Sequence, residues 1–527
     1  MIIIYITIIM KYKFNESKME NREPIKIKTP SFRTINSQKE LKDLQQRYDN
    51  ELCNDKMTFQ ECELAILRQA VDESELINKK KLANSEEIEN ILKIVEEFLK
   101  KKKLICYGGT AINNILPEES QFYDRDIEIP DYDFYSPNAL HDAIHLADIY
   151  YKKGYNDVEA KAGVHKGTFK VFVNFIPIAD ITQLHPKIFN TISQDAITIQ
   201  GIKYSPPDFL RMNMYLELSR PMGDVSRWEK VMKRLTLLNK HYPMRPGVPC
   251  SRIEFQRNMK SIQEQGENLY QDILDNLVNQ EVIFFGGYAT SLFSRHINTT
   301  NSITKKVPDF DILNDNPEVC ATLLKEHLSK IGYKNIEIKH HNELDEILSE
   351  HIEFCVNNES VLFIYKPLAC HSYNKVTING QKLKIATIDT ILTMYLAFIY
   401  AGLQHYNKDR LLCMAKYLFD VEARNRLSNK GLLKRFSINC YGKQKTIEEI
   451  RMTKADQYKK LRTKRGTKEY DEWFLKYNPA DIKTTKKYPR TMKKQRSKTA
   501  SRTTTKTTKQ YKMNNKQSDN KSSSLLY

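Results

Sequence analysis

The amino-acid sequence predicts a mixed α/β (α+β) protein in which a helical N-terminal region precedes two tandem copies of one domain. Each copy begins with a short apolar strand, continues with a Gly-Gly turn that opens a helix, and then shows a strand with two aspartates one residue apart. The strings are LICYGGTA and IPDYDF in the first copy, and VIFFGGYA and VPDFDI in the second. A set of motifs that returns in the same order is the sequence signature of a duplicated domain.

The repeat keeps a single register over about sixty residues. An offset of 178 residues separates the members of each of these pairs: Gly108 and Gly286, Asp131 and Asp309, Asp133 and Asp311, Gly154 and Gly332. The helix that precedes each turn obeys the same offset, because Ile91, Val95 and Leu99 fall on Leu269, Ile273 and Leu277. These apolar residues recur at helical spacing, so we expect each helix to bury one face.

Composition divides the rest of the chain. The predicted segments are 1–45, a disordered N-terminus; 46–100, a helical region; 101–250, the first domain copy, which carries the catalytic candidates; 251–440, the second copy; 441–482, a charged linker; and 483–527, a basic disordered tail. In the helical region, Asn84 and Glu87 resemble a capping box. The tail has almost no aliphatic residues and cannot form a core.

Charge and cysteine content limit the classes of protein. The formal net charge of the 527 residues is +18, and the tail from Lys483 to Tyr527 holds fourteen Lys or Arg against one acidic residue. Such a tail binds polyanions through counterion release, although a solubilising or localisation role explains it as well. The nine cysteines form no C-x-x-C pair and no His/Cys cluster at zinc spacing, which predicts unpaired thiols in a reducing compartment and no structural zinc.

The N-terminal stretch MIIIYITIIM is too short to span a bilayer and lacks the basic region and cleavage site of a signal peptide. A start codon placed too early, with Met10 or Met19 as the true start, is the alternative interpretation. No other segment approaches transmembrane length, so no membrane partner is expected.

The first candidate site consists of acidic residues. Residues i and i+2 of a strand project from the same side, so Asp131 and Asp133 converge while Tyr132 and Phe134 face the opposite way. Like charges at such a short distance repel each other unless a cation lies between them. A third acid, Asp180, follows in the apolar stretch NFIPIAD, and three such carboxylates are able to hold two Mg²⁺ ions. Solvated acids at a strand end are the alternative.

A phosphate-binding site is predicted beside these acids. Gly108 and Gly109 open a helix, whose free backbone N–H groups and positive dipole end attract phosphate, and Thr110 places a hydroxyl at the expected N-cap. Further along, Arg227 and Lys230 share one face of a basic helix and are suited to clamp triphosphate oxygens. An ordinary turn and a solvated basic face remain open as alternatives. Trp228 is interpreted as a core residue.

The second copy is expected to be inactive. The string IYKPLAC, aligned with NFIPIAD, puts Cys370 where Asp180 stands, and a neutral thiol is a poor ligand for Mg²⁺. Asp309 and Asp311 then look like relics, and a structural role and a weak metal site stay open as alternatives. The second copy would be retained for packing and RNA binding.

The strings CYGGTAINNILP, DYDFYS, FIPIADIT and YSPPDFLRMNMYLELSRPMGDVSRWEKVMKRLTLL resemble the catalytic subunit of viral poly(A) polymerases, of the poxvirus type and closest to the giant-virus enzymes. The resemblance covers about residues 60 to 430. It implies two tandem nucleotidyltransferase-like domains of the polymerase-beta type, the second one degenerate.

The resemblance implies template-independent addition of AMP from ATP to an RNA 3′ end, with Mg²⁺ or Mn²⁺ as cofactor. The metal-ligand acids of the family fall on Asp131, Asp133 and Asp180, and its glycine motif falls on Gly108 and Gly109. Giant-virus relatives are expected to work as a homodimer, in the virion and the host cytoplasm. The alternatives are a terminal uridylyltransferase, another nucleotidyltransferase, and a non-catalytic RNA-binding scaffold.

Overall fold

We describe the protein from a computed structural model. The described residues are 53–54, 56–124, 126–255, 262–297, 310–345, 347–403 and 406–483. The predicted disordered segment 1–45 and, except for Lys483, the predicted tail 483–527 lie outside them, as does Asp309. None of the described helices is both long enough and apolar enough to cross a membrane.

The N-terminal region consists of two helices, α1 (Phe59–Ala83) and α2 (Glu86–Lys102). Helix α2 buries its apolar stripe, as predicted, because Ile88, Ile91, Val95 and Leu99 are almost inaccessible. The predicted capping box is wrong by one residue: Ser85 is the N-cap, and its side chain accepts a hydrogen bond from the backbone N–H of Ile88. The serine hydroxyl caps the helix in the usual way.

The first domain copy forms an eight-stranded mixed sheet in the order β16-β3-β4-β5-β2-β1-β7-β6. Its strands are β1 (Ile105–Cys106), β2 (Tyr132–Ser136), β3 (Val158–Ala162), β4 (Thr168–Val173), β5 (Ile176–Gln183), β6 (Ile197–Ile199), β7 (Ile202–Tyr204) and β16 (Lys476–Tyr477). Its helices are α3 (Gly108–Ile115), α4 (Ala139–Lys152), α5 (Pro186–Gln194), α6 (Pro207–Leu218) and α7 (Trp228–His241). Helices α2 and α4 pack on each other and on the sheet.

The second copy forms a second eight-stranded sheet in the order β10-β11-β12-β9-β8-β14-β13-β15. Its strands are β8 (Ile283–Phe285), β9 (Phe310–Leu313), β10 (Ile336–His341), β11 (His351–Val356), β12 (Glu359–Tyr365), β13 (His371–Ile378), β14 (Gln381–Ala386) and β15 (Cys440–Tyr441). Its helices are α8 (Ile262–Asn279), α9 (Gly286–Leu292), α10 (Pro317–Lys330), α11 (Ile388–Ala401) and α12 (Lys408–Arg424). The protein is therefore a mixed α/β protein, as the sequence predicts.

The pairing register of the two sheets confirms the duplication. In the first sheet Ile105 pairs with Tyr135 across β1 and β2, and in the second Ile283 pairs with Leu313 across β8 and β9. Each residue of the second pair lies 178 positions after its counterpart in the first pair, as predicted. The corresponding helices α6 and α11 pack against each other, and the Phe209 and Tyr400 rings meet edge to face at 5.1 Å. Both copies thus belong to one compact unit that extends to Ala480.

Residues 441–482 are not the charged linker that the composition predicts. They include helices α13 (Ile447–Leu461) and α14 (Lys468–Phe474), a 3₁₀ helix (Pro479–Lys483), and the strand β16, which pairs with β3 at the edge of the first sheet. The segment is anchored by buried Leu475 and Tyr477, and the Tyr477 hydroxyl lies 2.5 Å from the Asp148 carboxylate. The prediction failed because aliphatic residues, the usual signal of a core, are scarce here.

The prediction of unpaired cysteines is also wrong for six of the nine. Disulfides join Cys53 to Cys62, Cys250 to Cys413, and Cys370 to Cys440. The last two pairs are 163 and 70 residues apart along the chain, so no local spacing pattern reveals them. The remaining three cysteines are buried thiols.

Candidate active site

The three predicted acids come together at the middle of the first sheet. Asp131 immediately precedes β2, Asp133 lies within it, and Asp133 pairs directly with Asp180 of the parallel strand β5. All three line one cavity of about 970 Å³, which we call the acidic cavity. Tyr132 and Phe134 are buried on the other face of β2, as the strand alternation predicts.

The carboxylates are held in an unfavourable electrostatic environment. Burial, followed by the charges of Asp131 and Asp180, raises the pKa of Asp133 to about 7, although Lys170 and Arg227 oppose the shift. Burial and the charge of Asp180 also raise the pKa of Asp131. The Asp180 Oδ1 atom is buried and has no hydrogen-bond partner among the residues described. Such a site attracts cations.

A lysine that sequence reasoning missed lies against the third acid. Lys170 of β4 pairs with Asp180 of β5, and its ammonium group forms an ion pair with Asp180 Oδ2. Within the described part of the chain, no three His, Cys, Asp or Glu side chains are already arranged around a common metal position. The Lys170 ammonium is therefore the cation that Asp180 binds in this conformation.

The Gly-Gly turn is fitted closely to these acids. Gly108 begins α3 with a φ of +74°, which favours glycine, and a Cβ there would lie 2.5 Å from Asp133 Oδ2. A Cβ on Gly109 would lie 2.9 Å from an Arg234 guanidinium nitrogen. Both glycines line the acidic cavity, so the N-terminus of α3 opens onto it beside the carboxylates. A helix N-terminus with open backbone N–H groups is suited to bind phosphate.

Thr110 has a different role from the predicted N-cap. Tyr107 is the N-cap of α3 and makes no side-chain cap hydrogen bond, whereas Thr110 is the third residue of the helix. The buried Thr110 hydroxyl donates a 2.8 Å hydrogen bond to the backbone carbonyl of Asp131. It therefore fixes the first aspartate against the helix.

Basic side chains of α7, and of the residue immediately before this helix, form the other side of the acidic cavity. Arg227, Lys230 and Arg234 line it, whereas Lys233 does not. The Arg227 Nε atom lies 3.1 Å from the Glu217 carboxylate. Trp228, as interpreted from the sequence, is packed against the core, and its indole N–H donates to the backbone carbonyl of Glu217.

Arg234 is a further functional candidate. Its guanidinium donates to the Tyr123 hydroxyl at 2.6 Å and lies over the Phe122 ring, 4.9 Å from the ring centroid. The signal that could have found it is its spacing, because residues 227, 230 and 234 are three and four apart and so share a helix face.

In the part of the second copy that the structure describes, the third acid has no counterpart, but the predicted reason is wrong. Strand β12 corresponds to β5, and Phe363 pairs with Asp311 just as Asp180 pairs with Asp133. Phe363, not Cys370, therefore replaces the third acid. Cys370 precedes β13 and is disulfide-bonded.

The described residues form only a small cavity at Asp311. Asp311 is buried, and the cavity that it lines has only about 10 Å³. Its walls are large side chains, namely Tyr395, Phe398, Tyr406, Asn407, Arg410 and Leu411. A nucleotide would not fit in this cavity as the described residues line it.

Comparison with known proteins agrees with this geometry. Residues 93–224 match the family model of the poly(A) polymerase catalytic subunit. The match confirms the predicted family resemblance, and it includes Gly108, Gly109, Thr110 and the three acids but ends before Arg227.

The chain is similar to viral proteins named as poly(A) polymerase catalytic subunits. It is 34% identical to that of African swine fever virus (strain Badajoz 1971 Vero-adapted) over 246 residues, 46% of this chain and 48% of the relative. It is 30% identical to that of Acanthamoeba polyphaga mimivirus over 211 residues, 39% of this chain and 35% of the relative. The matches span about half or less of the length of these relatives.

The fold is that of a solved viral enzyme. The crystal structure of the Megavirus polyadenylate synthase superposes with a TM-score of 0.68, and the match covers 89% of this chain and 90% of that one at 20% identity. This chain therefore shares the mixed α/β fold of that protein.

Proposed function

We propose that the protein is a template-independent polynucleotide adenylyltransferase that adds AMP from ATP to RNA 3′ ends by a two-metal mechanism. The observation that carries the proposal is the convergence of Asp131, Asp133 and Asp180 beside the glycine-opened N-terminus of α3 in one large cavity. The similarity to viral poly(A) polymerase catalytic subunits supports the choice of AMP and RNA.

The acidic cluster fits Mg²⁺ or Mn²⁺. Its carboxylates face one cavity and repel one another, and Asp180 Oδ1 has no hydrogen-bond partner in the described structure, so oxygen ligands are present where positive charge is needed. Asp131 and Asp133 would ligate both ions, and Asp180 would ligate one after releasing Lys170. When bound, the ions would activate the RNA 3′ hydroxyl and neutralise the triphosphate.

The triphosphate would lie between α3 and α7. The N-terminus of α3 offers backbone N–H groups at Gly108 and Gly109, and Arg227, Lys230 and Arg234 supply positive charge from the opposite wall. Arg234 is held in place by Tyr123 and Phe122, so its contribution is preorganised. Preorganised charge of this kind stabilises the transition state of phosphoryl transfer.

Primer extension tests the proposal. A 5′-labelled oligo(A) RNA is incubated with Mg²⁺ or Mn²⁺ and each of the four nucleoside triphosphates separately, beside a variant that combines Asp131→Ala and Asp133→Ala. We expect a ladder with ATP that is lost in the variant. Growth with UTP alone would keep the mechanism and make the enzyme a uridylyltransferase. No growth with any nucleotide, with RNA binding retained, would favour the scaffold.

The activity as a homodimer and the location in the virion and the host cytoplasm stay predictions from the family resemblance. The retention of the second copy for packing and RNA binding is likewise a prediction.

A further inference from the structure

The two copies carry the same hairpin with opposite charge. In the first copy the β3–β4 hairpin, residues 158–173, has three lysines against one glutamate, a net charge of +2. In the second copy the β10–β11 hairpin, residues 336–356, has one lysine against six acidic residues, a net charge of −5. Because the fold of the hairpin is shared, this reversal needs an explanation outside folding.

The basic hairpin borders the acidic cavity. His165 and Thr168, from the loop and the start of β4, line it on the side of Asp180. The proposed triphosphate site lies on the other side, at α3 and α7. In an in-line displacement the attacking hydroxyl and the leaving pyrophosphate lie on opposite sides of the phosphorus, so the attacking strand must enter beside this hairpin.

The segment 441–480 extends the basic surface next to this entrance. It has eleven Lys or Arg against six acidic residues. The Lys454 ammonium group donates a 2.7 Å hydrogen bond to the Gly163 carbonyl at the base of the loop. The Lys166 ammonium group lies over the half-buried Trp473 ring, 5.6 Å from its centroid.

Lys166 is exposed, and no carboxylate pairs with it among the residues that the structure describes. Lys166 directly follows His165, which lines the acidic cavity. The Lys166 cation and the Trp473 ring beneath it therefore lie next to the rim of this cavity. Positive charge that tracks a backbone, together with an aromatic ring on which a base stacks, is the usual combination in surfaces that bind single-stranded nucleic acid.

We propose that single-stranded RNA just upstream of its 3′ end lies on the surface formed by the 163–167 loop, Lys166, Trp473 and helix α13. The inference rests on the proposed function for the identity of the strand. The phosphates contact the lysines, and a base stacks on the Trp473 ring.

RNA binding tests the surface independently of catalysis. The full chain is titrated into a 5′-labelled oligo(A) of about 15 nucleotides, and fluorescence anisotropy is followed without divalent cations over a range of salt concentrations. We expect Lys166→Glu to raise the Kd about tenfold and to reduce the salt slope by about one. Lys330→Glu, the same charge change on an exposed helix of the second copy, is the matched control and should leave the Kd unchanged. An equal effect of both substitutions would overturn the proposal.

Aromatic stacking is tested separately from charge. Trp473→Leu should raise the Kd several-fold, and Trp473→Phe should restore most of the affinity, because base stacking tolerates any aromatic ring. A loss in both variants, or in neither, would count against the stacking role. Circular dichroism confirms that each variant is folded.

Kinetics separate a failure of the surface from a failure of the proposed function. With ATP, Lys166→Glu should raise the KM for the long primer more than the KM for a trinucleotide primer, because the trinucleotide hardly reaches Trp473. Transfer with an unchanged KM for the long primer would refute the surface and keep the activity. No transfer by the wild-type protein, with RNA binding that still depends on Lys166, would refute the activity and keep the surface.

Discussion

The two domain copies share a fold but differ along one row of side chains. Across the first sheet the paired residues of this row are Lys161, Lys170, Asp180 and Asp133, and across the second they are Lys339, Glu353, Phe363 and Asp311. The outer lysine and the inner aspartate are retained, and the two residues between them have changed. The acidic cavity of the first copy has about 970 Å³, and the cavity that the described residues form at Asp311 in the second copy has about 10 Å³.

This difference shows that the sheet does not depend on the site. Apart from Ser136 and Asp311, the buried positions of β1, β2, β8 and β9 are apolar in both copies, and these strands keep the same pairing register. The site depends on a lysine, a third acid and an open cavity, each of which is lost independently of the fold. Function therefore has to be argued from these positions and not from the duplication.

The largest expected difference between the copies is catalytic. Asp133→Asn should lower kcat for AMP transfer by about 10³-fold or more, because it removes a charged ligand from the proposed metal site. Asp311→Asn, at the equivalent position of the second copy, should leave kcat within about twofold of wild type. Single-turnover primer extension measures both, and equal losses would overturn the assignment of the first copy as the active one.

The pH dependence of stability should report on the Asp133 carboxyl of the first copy. The pKa of Asp133 is about 7 in the folded protein, and an unfolded aspartate titrates near about 3.9. Between these values the folded protein keeps a proton that the unfolded chain has released, so stability falls as the pH rises. For Asp133 alone the free energy of unfolding should fall by up to about 4 kcal/mol between about pH 4 and pH 7.

Denaturant unfolding in EDTA, at several pH values in this window, measures the effect as the difference between wild type and Asp133→Asn. The asparagine is neutral throughout, so the variant should lack this part of the decline. Adding Mg²⁺ to the wild type should restore the stability lost at the higher pH. Parallel curves for wild type and variant would show that Asp133 is not the titrating group.

Lys170 should act as the resident cation of the metal-free site. Lys170→Met leaves the Asp180 charge without its partner, and the free energy of unfolding in EDTA should fall by about 1–2 kcal/mol. The same substitution removes a competing positive charge, so the affinity for Mn²⁺, measured by electron paramagnetic resonance of the free ion, should rise severalfold.

The matched control is Lys161→Met. Lys161 lies one strand further from Asp180, and its ammonium group is 3.1 Å from the Glu159 carboxylate. It should change neither quantity appreciably. An unchanged Mn²⁺ affinity in Lys170→Met would mean that the lysine does not compete for the site.

What the sequence predicted correctly was local. The Gly-Gly turn, the pair Asp131 and Asp133, and the apolar stripe of α2 each depend on residues within a few positions of one another, so periodicity and spacing were enough. Asp180 is the exception, because it was recognised as an acid in an apolar strand although its partner strand is more than forty residues away.

What the sequence could not give depends on non-local pairing. Lys170 becomes a site residue only when β4 pairs with β5 in one register. Phe363 was missed because the second hairpin is five residues longer than the first, which follows from the offset of 183 between Asp180 and Phe363. The string IYKPLAC around Pro367 resembles NFIPIAD, so the sequence alignment placed Cys370 at the position of Asp180. The C-terminal helices were missed because few apolar residues, among them Leu475 and Tyr477, anchor a highly charged segment.

The smallest expected effect concerns Thr110, which has no counterpart in the second copy because Tyr288 occupies the equivalent position. Thr110→Val keeps the shape of the side chain but removes the hydrogen bond to the Asp131 carbonyl. The buried carbonyl then loses a donor, at a cost of about 1 kcal/mol, and kcat should fall by about fivefold as Asp131 becomes less constrained. Thr110→Ser keeps the hydroxyl and should restore kcat, even though a methyl group is lost. Primer extension at saturating ATP distinguishes the variants, and an equal loss in both would assign the effect to packing of the methyl group instead of the hydrogen bond.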